Sequence, residues 1–215
     1  MAYVIIALSL VWLGMLVAER HKATVNRRAL RHVIHVNGIR GKTSVTRMIA
    51  AGLSAGGYKV LCKTTGTIPD YITPDGVEHE IKRRGRANIK EQLYVMDVAV
   101  KAGAEVLVAE CMALDPAYQR ISQHEMLNAD IGVITNIRMD HGDVFGHSLE
   151  LVAEALSNTI PKKGKLFTAE QKLFGQLRAN AERMGSEAIQ AVADEDVDYG
   201  VEFAENGALA LAVCE

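Results

Sequence analysis

Hydrophobic positions along this chain fall into two regimes. From Ala2 to Ala18 no side chain is charged and most are Ile, Leu, Val, Ala, Trp or Met. A helix over that run is about 25 Å long at 1.5 Å per residue, short but sufficient for a thin bilayer. Arg20, Lys22, Arg27, Arg28 and Arg31 follow against one acid, Glu19. By the positive-inside rule the remainder of the chain lies on the cytoplasmic side of a cell membrane crossed once. No basic stretch precedes the run and no small-x-small cleavage site follows it, which argues against a removed signal peptide. The expected organisation is a transmembrane anchor over 1–18, a basic linker over 19–32 and one domain over 33–215. A buried or membrane-surface helix is the alternative for the first segment.

From position 33 onward, short apolar runs alternate with stripes of helical period. The runs at 33–37, 59–63, 105–110, 131–135 and 165–168 predict strands. Helices are predicted over 44–55, 88–102, 116–127, 149–159 and 170–184. In the first of these, Val45, Met48, Ile49 and Leu53 make one apolar stripe; Asn88 caps the second and Gly103 stops it. This rhythm predicts an α/β fold: a P-loop-containing, largely parallel sheet with helices on both faces, preceded by one N-terminal transmembrane helix. In such sheets ligands sit beyond the carboxyl ends of the strands. The polar stretch 64–87, with Gly66, Pro69, Pro74, Gly76 and Gly85, reads as a long insertion between a strand and a helix.

The junction between the first strand and the first helix of the domain carries the strongest chemical signal. Asn37-Gly38-Ile39-Arg40-Gly41-Lys42-Thr43-Ser44 runs from a buried strand into a helix. Glycines let the backbone turn and bring its N–H groups close to an anion, and the helix N-terminus favours negative charge. Lys42 adds a cation and Thr43 a hydroxyl suited to Mg²⁺. The spacing is tighter than that of the common phosphate loop, because only Ile39 and Arg40 separate the glycines. The segment points to a nucleoside triphosphate.

Composition narrows the class further. The chain has 215 residues, 49% of them hydrophobic, and a formal net charge of −2 at pH 7. A full core is available, and non-specific nucleic-acid binding is disfavoured. Cys62, Cys111 and Cys214 are widely spaced and show no metal-binding pattern, which suits reduced thiols.

Two further strand ends carry candidate chemistry. Val106-Leu107-Val108-Ala109-Glu110 ends a buried run in an acid, whose carboxylate suits Mg²⁺. Thr135-Asn136-Ile137-Arg138-Met139-Asp140-His141-Gly142-Asp143 follows the next strand. There His141 can meet a cation or a phosphoryl group, oriented by Asp140 or Asp143. A polar turn and an ordinary strand-end acid are the plain readings of these two segments.

Together, Gly38-x-x-Gly41-Lys42-Thr43-Ser44, Glu110 and Thr135-Asn136-x-x-x-Asp140-His141 resemble the ATP-binding core of the Mur ligase superfamily. Within it, the apolar N-terminus, Asn37-Gly38-Ile39-Arg40-Gly41-Lys42, Lys63-Thr64-Thr65-Gly66-Thr67 and Glu110-Cys111-Met112-Ala113 are most similar to the catalytic subunits of membrane-bound poly-γ-glutamate synthases. The resemblance implies an ATP-dependent amide ligase that polymerises glutamate through an acyl phosphate, with small membrane subunits as partners. It implies ATP held by Asn37, Gly38, Ile39, Arg40, Gly41, Lys42, Thr43, Ser44, Asn136 and Asn206. It implies Mg²⁺ on Thr43, Glu110 and His141, and catalytic roles for Lys42, Glu110 and His141. Leu156 stands where many Mur-type ligases carry a carbamylated lysine, so that ligand is not carried over.

The basic run Lys82-Arg83-Arg84-Gly85-Arg86 suits a polyanionic product or a solvated loop. Thr64, Thr65 and Thr67 suit substrate contacts or a hydrogen-bonded turn. The sequence stops at Cys214-Glu215 inside an apolar helical pattern, which raises the expectation of a C-terminally incomplete domain. Two other functions use the same loop: a membrane-anchored kinase or NTPase, and a non-catalytic nucleotide-binding subunit of an export complex.

Overall fold

The run of apolar side chains at the start of the domain becomes the middle of a sheet. In the computed structural model, which describes residues 1–215 except Thr67, Arg84 and Arg86, β1 (His32–Asn37) lies between two parallel neighbours, β5 (Val106–Glu110) and β6 (Ile131–Ile134). Strands buried on both faces read as continuous apolar runs, which is why β1 and β5 do not alternate. Outward from β5 come β2 (Val60–Thr64), parallel, and then β3 (Asp70–Ile72) and β4 (Glu78–Glu80), antiparallel. Outward from β6 come β7 (Lys165–Thr168) and β8 (Glu187–Gln190), both parallel. The order across the sheet is β4-β3-β2-β5-β1-β6-β7-β8.

Helices cover both faces, as predicted. Ile34 and Val36 of β1 pack with Val45 and Ile49 of α2 (Lys42–Ala55) and Leu209 of α8 (Ala204–Cys214). Val33, Leu61 and Leu107 point the other way, onto Val95 and Met96 of α3 (Glu91–Lys101). Each such fully buried aliphatic side chain contributes about 1.5–3 kcal/mol relative to exposure. On the far half of that face, Ile134 and Leu166 meet α6 (Leu149–Leu156) and α7 (Phe174–Arg183). Asp115 caps α4 (Pro116–Ile121), whose backbone continues as a π-helical turn over Ser122–Leu127 and stops at Asn128 in the left-handed conformation. The helix expected over 116–127 is therefore an α-turn and a π-turn in series. That expected over 149–159 likewise closes in a 3₁₀ turn at Ser157–Thr159.

Two expectations need correction. The segment 19–32 is helical over most of its length, because α1 (Ala2–Ala29) continues unbroken to Ala29, just before β1 begins at His32. No Gly or Pro interrupts residues 19–29, and their polar side chains find partners on the domain. Lys90 Nζ meets Glu19 at 2.9 Å, Lys22 Nζ meets Asp97 at 2.8 Å, and Arg27 Nη2 meets Asp130 at 2.9 Å. The apolar part of α1 touches none of the core; its best window has a mean hydropathy of 2.1 and is 0% buried. By length and composition it is able to cross a membrane.

The second correction concerns 64–87, which is not a plain insertion. Its residues 70–80 fold as the β3–β4 hairpin, extending the sheet. Thr73-Pro74-Asp75-Gly76 is the turn, with Gly76 at φ +82° and the Thr73 N–H donating to Val77 O at 3.0 Å. Pro then Asp-Gly is a turn signature with a mechanism, and Tyr71 stacks on His79 across the hairpin with ring centroids 5.0 Å apart. Two elements lie outside the sequence expectation altogether: β8 and the short α5 (Gly142–Phe145).

Candidate functional site

The loop after β1 is held from behind by the strand end after β6. Thr135 donates its hydroxyl to Arg40 O at 2.7 Å, and Asn136 Nδ2 donates to the same oxygen at 2.9 Å. Asn136 Oδ1 accepts from the Arg40 N–H at 3.2 Å, and the Ile39 N–H donates to Asn136 O at 3.3 Å. Asn136, expected to touch the nucleotide, is thus committed to the loop backbone. Asn37 is committed too: its Oδ1 accepts from Gly38 N at 2.8 Å and its Nδ2 donates to Gln119 Oε1 at 3.0 Å. Both residues set the shape of the loop.

That shape requires glycine at two positions. Gly38 has φ +132°, and a Cβ there would lie 2.0 Å from Thr135 Oγ1. Gly41 has φ +80°, and a Cβ there would lie 2.9 Å from Asn206 Nδ2. α8 therefore brings Asn206 against the loop, and Asn206 Oδ1 is buried without a hydrogen-bond partner among the described residues. Lys42 Nζ folds back onto Gly38 O at 2.9 Å. Ile39 borders the core on one side and the site cleft on the other. Arg40 is exposed and pairs with Asp140 at 3.0 Å. Ser44 is exposed in the first turn of α2.

Glu110 and Thr43 meet. Thr43 Oγ1 donates to Glu110 Oε2 at 3.0 Å, and the Thr65 N–H donates to the same oxygen at 2.8 Å. Alternation along β5 turns this carboxylate to the α2 face, beneath the loop. His141 lines the same cleft of about 280 Å³ as Gly38, Lys42 and Glu110. It sits at φ +50°, an uncommon conformation for a side chain of its size, and lies edge-on to Phe145. Among the described residues no group of three His, Cys, Asp or Glu side chains converges for a metal. A hydroxyl and one carboxylate are nevertheless a donor set that fits Mg²⁺, which keeps several waters and leans on substrate phosphates. A second cleft, about 640 Å³, lies on the other side of Thr135 and Asn136, between the ends of β7 and β8 and Glu205.

Leu156 is buried in the core under α6 and α7, so no ligand stands at that position. Thr64 donates to Asp70 at 2.5 Å, a turn contact; Thr67, Arg84 and Arg86 lie outside the described residues. Asn88 accepts from the Lys90 N–H at 2.9 Å, capping the turn before α3. Arg83 pairs with Glu91 at 2.6 Å and lines the site cleft. Lys63 has no assigned role in the sequence reading. It is 0% exposed, and burial pulls its ammonium down to about 8 against the opposing charge of Glu91. The available signal was a lysine closing an apolar strand, Val60-Leu61-Cys62-Lys63.

Residues 36–207 match the model of the Mur ligase middle domain. The chain belongs to the Mur ligase family. It is 39% identical over 212 residues to "PGA synthase CapB" of Bacillus subtilis (strain 168), covering 94% of this chain and 53% of that protein. It is 41% identical over 206 residues to "Capsule biosynthesis protein CapB" of Bacillus anthracis, covering 91% and 43%. The chain thus spans about half the length of these curated relatives. Among solved structures, an FPGS-AMPPCP complex superposes with a TM-score of 0.67 at 16% identity, covering 92% of this chain and 61% of that one. A bifunctional folylpolyglutamate synthase/dihydrofolate synthase of Yersinia pestis CO92 gives 0.66 at 15%, covering 91% and 57%. At such identities the likeness shows the fold: a mostly parallel α/β sheet of the Mur ligase kind.

Proposed function

We propose that this chain is the nucleotide-binding part of an ATP-dependent amide ligase that polymerises glutamate into poly-γ-glutamate at a membrane. The observation that carries the reading is the Thr43–Glu110 contact beneath the Gly38–Gly41 loop. The similarity to two CapB proteins over most of the chain supports the substrate class.

Loop N–H groups and Lys42 would hold the β- and γ-phosphates of ATP, with Lys42 released from Gly38 O. Thr43 and Glu110 would hold Mg²⁺, with His141 facing the same cleft. When bound, Mg²⁺ offsets the charge that builds up on the transferring phosphoryl group. Asn206, whose buried Oδ1 beside Gly41 has no partner among the described residues, would accept a hydrogen bond from the nucleotide. The second cleft is the larger space and suits the nucleoside. The γ-phosphoryl group passes to a carboxylate oxygen at the end of the glutamyl chain, and ADP leaves. The amine of the incoming glutamate then attacks the acyl carbon, phosphate leaves, and the nitrogen gives up a proton. This chemistry asks the protein mainly for positioning and charge stabilisation.

In this reading α1 crosses the membrane once, the domain faces the cytoplasm, and small membrane subunits of the same synthase are its partners. Hydroxylamine added to synthase-containing membranes with ATP and a γ-glutamyl oligomer should trap a hydroxamate of the oligomer. No hydroxamate above the Lys42→Ala background would remove the acyl-phosphate route.

A further inference from the structure

Lys63 poses a problem that the loop chemistry does not solve. Its side chain lies on the α3 face of β2, the face opposite Glu110, and is 0% exposed. Its ammonium makes one hydrogen-bond contact among the described residues, Met112 Sδ at 3.8 Å. A thioether is a weak acceptor, and a buried ammonium without a carboxylate or carbonyl partner is costly. Glu91 is the strongest favourable charge near it, yet both Glu91 oxygens are taken by Arg83, at 2.6 and 2.9 Å. Such a group is expected to serve a partner that comes and goes.

The position of Met112 says where that partner would come from. Met112 lines the site cleft together with Gly38 and Lys42, and its sulfur lies 3.8 Å from the Lys63 ammonium. Rotating this flexible, unbranched side chain would open Lys63 to the cleft. Arg83 lines the same cleft and also the neighbouring groove beside Asn88 and Tyr94. Arg83 on the cleft wall and Lys63 behind Met112 are therefore two cations for an anion that enters this cleft.

We propose that Lys63 is a specificity-determining residue that holds the non-reacting α-carboxylate of the terminal glutamyl residue, with Met112 as its gate and Arg83 receiving the next carboxylate along the chain. The proposal rests on the glutamate-ligase reading above and deepens it. A terminal glutamyl residue carries two carboxylates, and only one is to be phosphorylated. Holding the α-carboxylate on Lys63 leaves the γ-carboxylate to face the loop. The geometry thus gives a physical basis for γ rather than α linkage.

The test uses the full chain in nanodiscs with Mg²⁺ and AMPPNP, titrated calorimetrically with two probes. One is a γ-linked tri-glutamate; the other is the same oligomer with its terminal α-carboxylate converted to a carboxamide. Wild type should prefer the free carboxylate at least about tenfold. Lys63→Met should bind the two alike, with AMPPNP affinity unchanged, and Lys63→Arg should keep the preference. Equal weakening of both probes in Lys63→Met would mark Lys63 as merely structural and overturn the proposal. If Lys63→Met does not fold, wild type still decides, since equal affinity for the two probes sinks the inference and leaves the ligase reading intact. Wild type that binds AMPPNP but neither probe sinks the glutamate reading, and this inference with it.

Discussion

Thr43 Oγ1 donates to Glu110 Oε2 over 3.0 Å, tying the first turn of α2 to the last residue of β5. The two residues are far apart in sequence and come together because β1 and β5 are parallel neighbours, with Val36 in register with Glu110. A hydroxyl and a buried carboxylate beneath the Gly38–Gly41 loop would suit a Mg²⁺–triphosphate pair. Glu110→Gln keeps the shape and removes the charge. We expect it to bind nucleotide equally well in EDTA but to lose the gain that Mg²⁺ confers, by about tenfold or more. Nucleotide titrations with and without Mg²⁺ check this; an unchanged Mg²⁺ gain would take Glu110 out of the metal site.

Gly38→Ala should be among the most damaging single changes. The new methyl would sit 2.0 Å from Thr135 Oγ1 on a backbone at φ +132°. A loss of about 1–3 kcal/mol of stability is expected from the backbone alone, with nucleotide binding abolished. Adding Thr135→Ala removes the hydroxyl clash but not the backbone strain, so denaturant unfolding should show partial recovery only.

Asn206→Ala separates binding from stability. Because Asn206 Oδ1 has no hydrogen-bond partner among the described residues, its removal strands no described donor on that side. Thermal unfolding should shift little, while ATP binding weakens roughly 3- to 10-fold, the worth of one hydrogen bond. A large fall in melting temperature with unchanged nucleotide affinity would make Asn206 a packing residue.

His35 predicts a pH dependence. Burial holds its imidazole neutral and lowers its pKa from 6.5 to about 4, with Nδ1 2.8 Å from Gln123 Oε1. The folded value lies below the unfolded one, so the unfolded chain binds the proton first as pH falls. The neutral form's contribution is complete above pH 6.5 and is lost on descending to about pH 4, roughly 3 kcal/mol in all. Unfolding free energies across that range should fall less steeply for His35→Gln than for wild type.

Asp97 is one of the anchors of α1 on the domain. It accepts from Lys22 at 2.8 Å, Lys101 at 2.8 Å and Asn26 at 3.2 Å, and these contacts hold its carboxyl well below the usual range. Asp97→Ala should speed hydrogen exchange over residues 20–29 while the exchange of β1 and β5 stays as it was. Unchanged exchange in 20–29 would show that the helix is held by its own propensity.

Much of this was readable from residue pattern alone, for definite physical reasons. β1, the loop and α2 announce themselves because strand burial, glycine freedom and helical period change abruptly over a few residues. Asn206 is different: its place beside Gly41 depends on α8 packing against α2, which no local pattern encodes. The β3–β4 hairpin was obscured because its strands are short and polar, although Thr73-Pro74-Asp75-Gly76 marked its turn. The helical run of α1 past Ala18 was hidden by its charges, which in the fold meet Asp97, Asp130 and Lys90. Lys63 was hidden by its type, since lysines are almost never fully buried unless paired.

In the proposed reaction the Gly38–Lys42 loop directs the γ-phosphoryl group of ATP to a glutamate carboxylate. The measurement is ADP release by membranes carrying this chain with the small membrane subunits proposed above, with and without glutamate, for wild type and Lys42→Ala. Glutamate-dependent ADP release that disappears in Lys42→Ala is the expected result. Release that ignores glutamate yet still needs Lys42 would contradict it and leave a nucleotide hydrolase.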